Sequence, residues 1–348
     1  MDLIDPHDSA LFSERIDASH VITLTAHTHP DGDALGSTVA LCRYLRACRG
    51  KDAAIVLPDP IPDTIRFILP EGTPLTNAVD APEEAAARIA GSDLLISLDY
   101  NAFSRTERLE PLLAASPAGK ILIDHHLAPD TGAFPLRFST PEISSTCELL
   151  FWLLLSQPDI AEDAARLPAD CRTALLAGMT TDTNNFANSV YPSTFEMASA
   201  LLEAGTDRDA VLSELYNRGR ENRLRLIGYL LGEKLRITPE GGAVMVLTEE
   251  ERARFDIREG ETEGIVNMPL SVDGVKMVIF LKQYADEHDF HVSIRSKRGT
   301  SAVRIAREHF HGGGHENAAG GRLYYPQDIA SPEDAEAYVL DKIAACLR

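Results

Sequence analysis

The sequence predicts an α/β protein with a doubly wound, mainly parallel N-terminal sheet, a smaller C-terminal α/β domain, and the active site in the cleft between the two. Short, nearly continuous apolar runs at 21–26, 53–57, 93–99 and 120–124 alternate with helical segments. This is the pattern of parallel strands covered on both faces. Three of those runs end in, or lead directly into, Asp or His, namely His27, Asp99 and Asp124, and open α/β sheets bind their ligands at the carboxyl ends of strands. At 348 residues the chain exceeds the usual size of one core, so two domains are the default. The expected boundaries are 1–195 for the first domain, 196–238 for a helical connector and 239–348 for the second domain.

Residues 11–19 read as a short helix leading into the strand 21–26. The motif His27-Thr28-His29-Pro30-Asp31-Gly32-Asp33 comes next, and Leu35, Val39, Cys42 and Leu45 then recur at helical spacing. The motif therefore sits at a strand end and a helix start, where unpaired N–H groups favour phosphate oxygens. His27, Asp31 and Asp33 are potential metal ligands, with Gly32 expected to permit a tight backbone turn that aims both carboxylates inward. Asp-Gly-Asp taken alone fits a polar helix-capping turn better than a ligand set.

Further along, Pro58 closes the strand 53–57, and a short helix with loop is expected over 58–74. A helix near 83–90 precedes the strand that ends in Asp99. The strand 120–124 runs directly into His125-His126, and the helical segment 172–179 passes into Thr180-Thr181-Asp182. Four separate segments thus deliver Asp or His to element ends, and that convergence favours a dinuclear metal site over unrelated structural residues.

Residues 201–235 read as a helical, solvated connection. The second domain is expected to hold a strand at 243–247, a helix at 262–267, and two strands at 275–282 and 290–295 paired as a hairpin across the polar turn 284–289. A helix at 301–310, a glycine-rich loop at 312–320, a strand at 322–325 and a helix from 332 onward complete it. Arg295, Lys297, Arg298, Arg304 and Arg307 lie in a stretch without an acid. Beside a glycine-rich loop and His315, that local reversal of charge reads as an anion site.

The formal net charge of −20 argues against an extended duplex-binding footprint. The five cysteines form no Cys-x-x-Cys pair and read as small buried hydrophobes in a reducing compartment. Residues 1–19 do not have the pattern of a signal peptide, and the apolar run 149–155 is too short to span a bilayer. A cytoplasmic protein with no membrane partner is the expectation.

Taken together, His27-x-x-x-Asp31-x-Asp33, Asp99, Asp124-His125-His126 and Asp182 resemble the four motifs of the DHH phosphoesterase superfamily. Gly312-Gly313-Gly314-His315-x-x-Ala318-Ala319-Gly320 resembles the signature of the DHH-associated C-terminal domain. The chain is most similar to the bacterial oligoribonuclease and pAp phosphatase group, the nanoRNases, some of which cleave linear or cyclic dinucleotides. The resemblance implies two Mn²⁺ ions, with His27 and Asp31 on one, Asp33, His125 and Asp182 on the other, and Asp99 between them. It implies that Asp124 orients a neighbour and that His126 hydrogen-bonds the phosphate or protonates the leaving oxygen. Arg295, Ser296, Gly313, Gly314 and His315 would bind the substrate, Arg295 and His315 at its terminal phosphate. A homodimer is also implied.

The activity so implied is Mn²⁺-dependent hydrolysis of short oligoribonucleotides or dinucleotides to mononucleotides, and of pAp to AMP. A manganese inorganic pyrophosphatase shares the N-terminal motifs but lacks the glycine-rich histidine loop. A catalytically inactive nucleotide-binding module would be expected to have lost ligands, and all are present here. A single-strand exonuclease fits poorly with so acidic a chain, and a membrane-bound cyclic dinucleotide phosphodiesterase with the missing transmembrane helices.

Overall fold

The computed structural model describes residues 3–258, 260–284 and 288–348. It divides into two compact units, 1–218 and 219–348. In the first, α1 (Pro6–Ala18) is capped by Asp5, whose carboxylate accepts the His7 and Asp8 N–H groups. There follow β1 (Val21–Thr25), α2 (Gly32–Ala47), β2 (Asp52–Leu57), β3 (Leu75–Asn77), α3 (Pro82–Ala90), β4 (Leu94–Leu98), α4 (Glu110–Ala115), β5 (Gly119–Asp124) and β6 (Leu136–Ser139). The helices α5 (Thr146–Leu155), α6 (Ala169–Asp182), α7 (Pro192–Glu203) and α8 (Arg208–Tyr216) complete the unit.

Its sheet is wholly parallel, in the order β3-β2-β1-β4-β5-β6. The pleat sends Leu94, Ile96 and Leu98 into one core with α2, α5 and α6, and sends Leu95 and Leu122 into a second core with α3 and α4. The doubly wound expectation follows from this alternation, because each strand must be apolar on both faces to serve two layers. The strand order reverses between β1 and β4, and the crevice at that point lies outside their carboxyl ends.

The second unit contains α9 (Glu221–Tyr229), a π-helical turn at Leu230–Lys234, β7 (Arg236–Ile237), β8 (Gly242–Leu247), α10 (Glu249–Arg254), β9 (Met277–Gln283), β10 (Asp289–Ser296), α11 (Ala302–His309), β11 (Gly313–Gly314), β12 (Ala318–Tyr324) and α12 (Ala335–Leu347). The sheet order is β11-β12-β10-β9-β8-β7, antiparallel except for the parallel β8–β9 pair. Here too both faces are covered, by α11 and α12 on one side and by Leu226, Ile227 and Leu230 with Ile265 on the other.

Four expectations are corrected. The segment 196–238 is not a separate connector: Met197, Leu201 and Val211 are buried in the first unit's core, whereas Leu226, Ile227 and Leu230 belong to the second. The helix expected at 262–267 is a 3-10 helix at Ile265–Ser271, preceded by left-handed Gly264 and interrupted by Pro269. The glycine-rich stretch is a hairpin of β11 and β12, not a loop. The helix leading to Asp182 runs through that residue instead of stopping near Met179. The β9–β10 hairpin is antiparallel as expected, and residues 285–287 of its turn lie outside the described residues.

Candidate active site

Each acidic or imidazole group at the strand ends is held by a local rule. His27 follows β1, and its Nδ1 lies 2.7 Å from the Thr28 carbonyl. A carbonyl only accepts, so Nδ1 carries the proton and Nε2 is left as a donor for a cation. That Nε2 is 3.4 Å from Asp99 Oδ2 and 3.9 Å from Asp31 Oδ1. Asp31 is the N-cap of α2, its Oδ1 accepting the Asp33 and Ala34 N–H groups at 3.0 and 3.1 Å. The capping and the ligand readings of Asp-Gly-Asp are thus compatible.

Asp33, one residue into α2, is buried with both oxygens engaged by the first turn of α5: Thr146 N–H donates at 2.7 Å and Cys147 N–H at 2.9 Å. A helix N-terminus stabilises a buried anion here. Asp99 comes one residue past β4 in the left-handed region (φ 64°), its N–H donating to the Ile123 carbonyl and its Oδ1 accepting the Thr146 hydroxyl at 3.0 Å. His125 Nε2 lies 3.5 Å from Asp99 Oδ1 and 3.6 Å from Asp182 Oδ2. His126 Nδ1 is 2.7 Å from Oδ1 of the fully buried Asp124, which orients the ring.

The donors fall into three groups, each with its atoms within 4.8 Å of one another: His27 with Asp31 and Asp99, Asp33 with His125 and Asp182, and Asp99 with His125 and His126. Burial first, and then the Asp33 and Asp31 charges, pushes the Asp99 carboxyl well above the usual range. Burial and the same neighbours do likewise for Asp182, and burial raises Asp33 against the pull of His125. Burial lowers His125. For His126 burial opposes protonation, but the Asp124 hydrogen bond and the Asp99 and Asp124 charges outweigh it and the net direction is upward. Carboxylates crowded in this way are the environment that a divalent cation relieves, and mixed imidazole and carboxylate donors suit borderline-to-hard ions. Among the described residues, Asp124 Oδ2 is buried without a hydrogen-bond partner.

Gly32 has a different reason from the expected turn. Its backbone is not left-handed; a Cβ there would lie 2.3 Å from Thr181 Oγ1, and one on Gly178 would lie 2.3 Å from Cys147 Sγ and 3.0 Å from the Gly32 carbonyl. These glycines let α2 and α6 touch backbone to backbone and bring Asp33 to Asp182.

Three residues outside the motifs also reach the site. Thr146 and Cys147 open α5, and the pattern Ser145-x-x-Glu148 ahead of the apolar run is the signal that marks that helix start. Arg105 accepts the Thr28 N–H on its carbonyl at 3.0 Å, and its exposed guanidinium is a positive charge near His126. No motif pointed to it.

In the second unit, Arg295 on β10 is paired with Ala318 on β12, and Ala318 in turn exchanges backbone hydrogen bonds with His315. Arg295, Gly313, Gly314 and His315 therefore gather at one end of this sheet. Gly314 (φ 137°) and Gly312 are required by close strand approach, but a Cβ on Gly313 would meet nothing within 4 Å. Ser296 has its hydroxyl committed internally, donating to the Thr300 carbonyl at 2.6 Å and accepting from Asn317 Nδ2 at 3.0 Å. Lys297 and Arg304 are also engaged, with the Val272 carbonyl and with Cys346.

Family descriptions match both parts of the chain, the DHH family N-terminal domain over residues 21–179 and the DHHA1 domain over 241–347. The chain belongs to the DHH family of phosphoesterases, and it is a hydrolase. It is 31% identical over 312 residues to the bifunctional oligoribonuclease and PAP phosphatase NrnA of Thermus thermophilus, covering 87% of this chain and 84% of that protein. It is 27% identical over 344 residues to the cyclic-di-AMP phosphodiesterase PdeA of Listeria monocytogenes, covering 97% of this chain and 49% of that protein, so it spans about half the length of that relative. An exopolyphosphatase-related protein from Bacteroides fragilis has a solved structure that superposes with a TM-score of 0.90 at 32% identity, covering 100% of this chain and 97% of the other. Among the described residues no helix is long and apolar enough to cross a membrane.

Proposed function

We propose that this chain is a Mn²⁺-dependent phosphodiesterase that hydrolyses short oligoribonucleotides or dinucleotides, linear or cyclic, to mononucleotides, and that it also converts pAp to AMP. The observation that carries this reading is the convergence of six donors from four segments, with Asp99 within reach of both the His27 and the His125 groups. His27 and Asp31 would hold one ion, Asp33, His125 and Asp182 the second, with Asp99 between them. Two such ions supply an activated water and stabilise charge on the phosphate under attack.

The chain's own residues do the rest. Asp124 fixes the His126 ring, and His126 hydrogen-bonds the phosphate or protonates the leaving oxygen. Arg105 adds a positive charge at the His126 side of the site. Arg295, Gly313, Gly314 and His315 bind the terminal phosphate, a role supported by the absence of any internal reason for glycine at 313. Ser296 is proposed to act through Asn317, which its hydroxyl holds.

Release of nucleoside monophosphate from pApA, with and without Mn²⁺ and with pyrophosphate as the competing substrate, tests the reading. Mn²⁺-dependent AMP release is the expected result. Hydrolysis of pyrophosphate alone, or of neither substrate, would overturn it.

A further inference from the structure

The rings of Phe186 and Phe195 are stacked, with centroids 5.2 Å apart and planes inclined by 14°. Phe186 is half-buried against the first unit's core, whereas Phe195 is 54% exposed. Both are anchored to the site by short independent routes. Phe186 lies four residues past Asp182, with its N–H on the Thr183 hydroxyl at 3.1 Å. Phe195 follows Thr194, whose hydroxyl donates to Glu148 Oε2 at 2.8 Å, and Glu148 belongs to the same first turn of α5 whose Thr146 holds Asp33 and Asp99.

The surroundings are distinctive in charge. Between Asp182 and Glu196 there is no charged side chain, in a chain with a net charge of −20. The exposed neighbours Asn184, Asn188 and Ser189 are polar and neutral, and Asn185 Oδ1 accepts from the Arg208 guanidinium at 2.9 Å. Asn184, Asn185 and Phe186 are all in the left-handed region, at φ 47°, 55° and 67°, so the ring is held in its position by a backbone that a phenylalanine rarely adopts. An exposed aromatic face on a segment with no carboxylate, its rim touched by the Arg208 guanidinium, repels neither phosphate nor base.

We infer that the Phe186–Phe195 stack is a nucleobase platform, the open face of Phe195 taking a base of the nucleotide whose phosphate lies at the carboxylate cluster. The inference rests on the nucleotide-hydrolase reading given above. Every base presents a π-face, so such a platform favours nucleotides over pyrophosphate without selecting among bases.

The test compares wild type, Phe195→Leu and Phe195→Trp on pApA and on two analogues that lack one base or the other, all with Mn²⁺. Leu keeps an apolar side chain of similar bulk, and Trp keeps a stacking surface. The Leu variant should lose about tenfold in kcat/KM for pApA and should narrow the gap between pApA and one abasic analogue, and the Trp variant should restore both. A dinucleotide containing 2-aminopurine, titrated without metal, should be quenched by wild type and by the Trp variant but not by the Leu variant. Unquenched probe in wild type, or a Leu variant equal to wild type on pApA, would overturn the platform. Failure of wild type to hydrolyse any of the three diesters would overturn the nucleotide-hydrolase reading instead.

Discussion

Thr146 donates its hydroxyl to Asp99 at 3.0 Å while its own N–H serves Asp33 at 2.7 Å. A single residue at the start of α5 thereby holds two carboxylates of different donor groups. Replacement by Val keeps the β-branched shape and the backbone N–H and removes only the bond to Asp99. Loss of such an orienting partner costs about 10- to 100-fold in metal affinity or activity. Thr146→Val should therefore weaken Mn²⁺ binding by about that factor in a calorimetric titration, and unchanged binding would show that Asp99 needs no orientation from Thr146.

Asp99 itself stands within hydrogen-bond or ion-pair reach of His27, His125 and Thr146. Asp99→Asn should lower kcat by about a thousandfold or more, since on the proposed two-ion reading it would remove a charge from between two cations. Wild-type turnover in this variant, measured with saturating Mn²⁺, would end the dinuclear reading.

Metal should also be visible in stability. Mn²⁺ at about 100 times its dissociation constant should stabilise the fold by about 2.7 kcal/mol, read as a higher denaturant midpoint that EDTA reverses. Asp99→Asn should show a smaller gain. A midpoint indifferent to Mn²⁺ in the wild-type protein would argue that the carboxylate cluster holds no ion.

Gly178 has no room for a side chain, with Cys147 Sγ 2.3 Å and the Gly32 carbonyl 3.0 Å from the position of its Cβ. Gly178→Ala should destabilise the first unit by about 1–3 kcal/mol through overpacking and should lower Mn²⁺ affinity as well, because the helices carrying Asp33 and Asp182 must part. Full stability by urea denaturation would contradict this packing argument.

For the second unit, the proposed grip of Arg295 on the terminal phosphate implies that Arg295→Ala removes charge-assisted hydrogen bonds worth roughly 1.5–3 kcal/mol. The kcat/KM for pApA should fall by about ten- to a hundredfold, with a far smaller loss on bis-p-nitrophenyl phosphate, which has no terminal phosphate. Equal losses on both substrates would assign Arg295 to the fold.

The positions of His27, Asp99 and Asp124 at strand ends were legible because a strand buried on both faces announces itself by an unbroken apolar run, and the run's end fixes where the next polar residue stands. Helix α5 was not, since Leu149–Leu155 is apolar all round and shows no period, even though Ser145-x-x-Glu148 marks its start. The glycines misled for a related reason. Sequence suggests turns at Gly32 and 312–314, but close backbone approach is a property of two segments far apart in the chain, and a single segment does not display it. Asn317, which donates to Ser296, Lys297 and Thr300, belongs to the same class of long-range clamp.

The contact of α2 with α6 has a consequence for ion choice. Asp33 begins one helix and Asp182 ends the other, and their separation is set where Gly32 meets Thr181 and Gly178 meets the Gly32 carbonyl and the Asp33 Cα. Two carboxylates borne on supple side chains could open or close around ions of many radii. These two stand on main chain already in van der Waals contact, so the span between their backbones behaves as a calliper with its jaws locked, and on the proposed metal reading discrimination among divalent ions by size would be a property of how two helices abut.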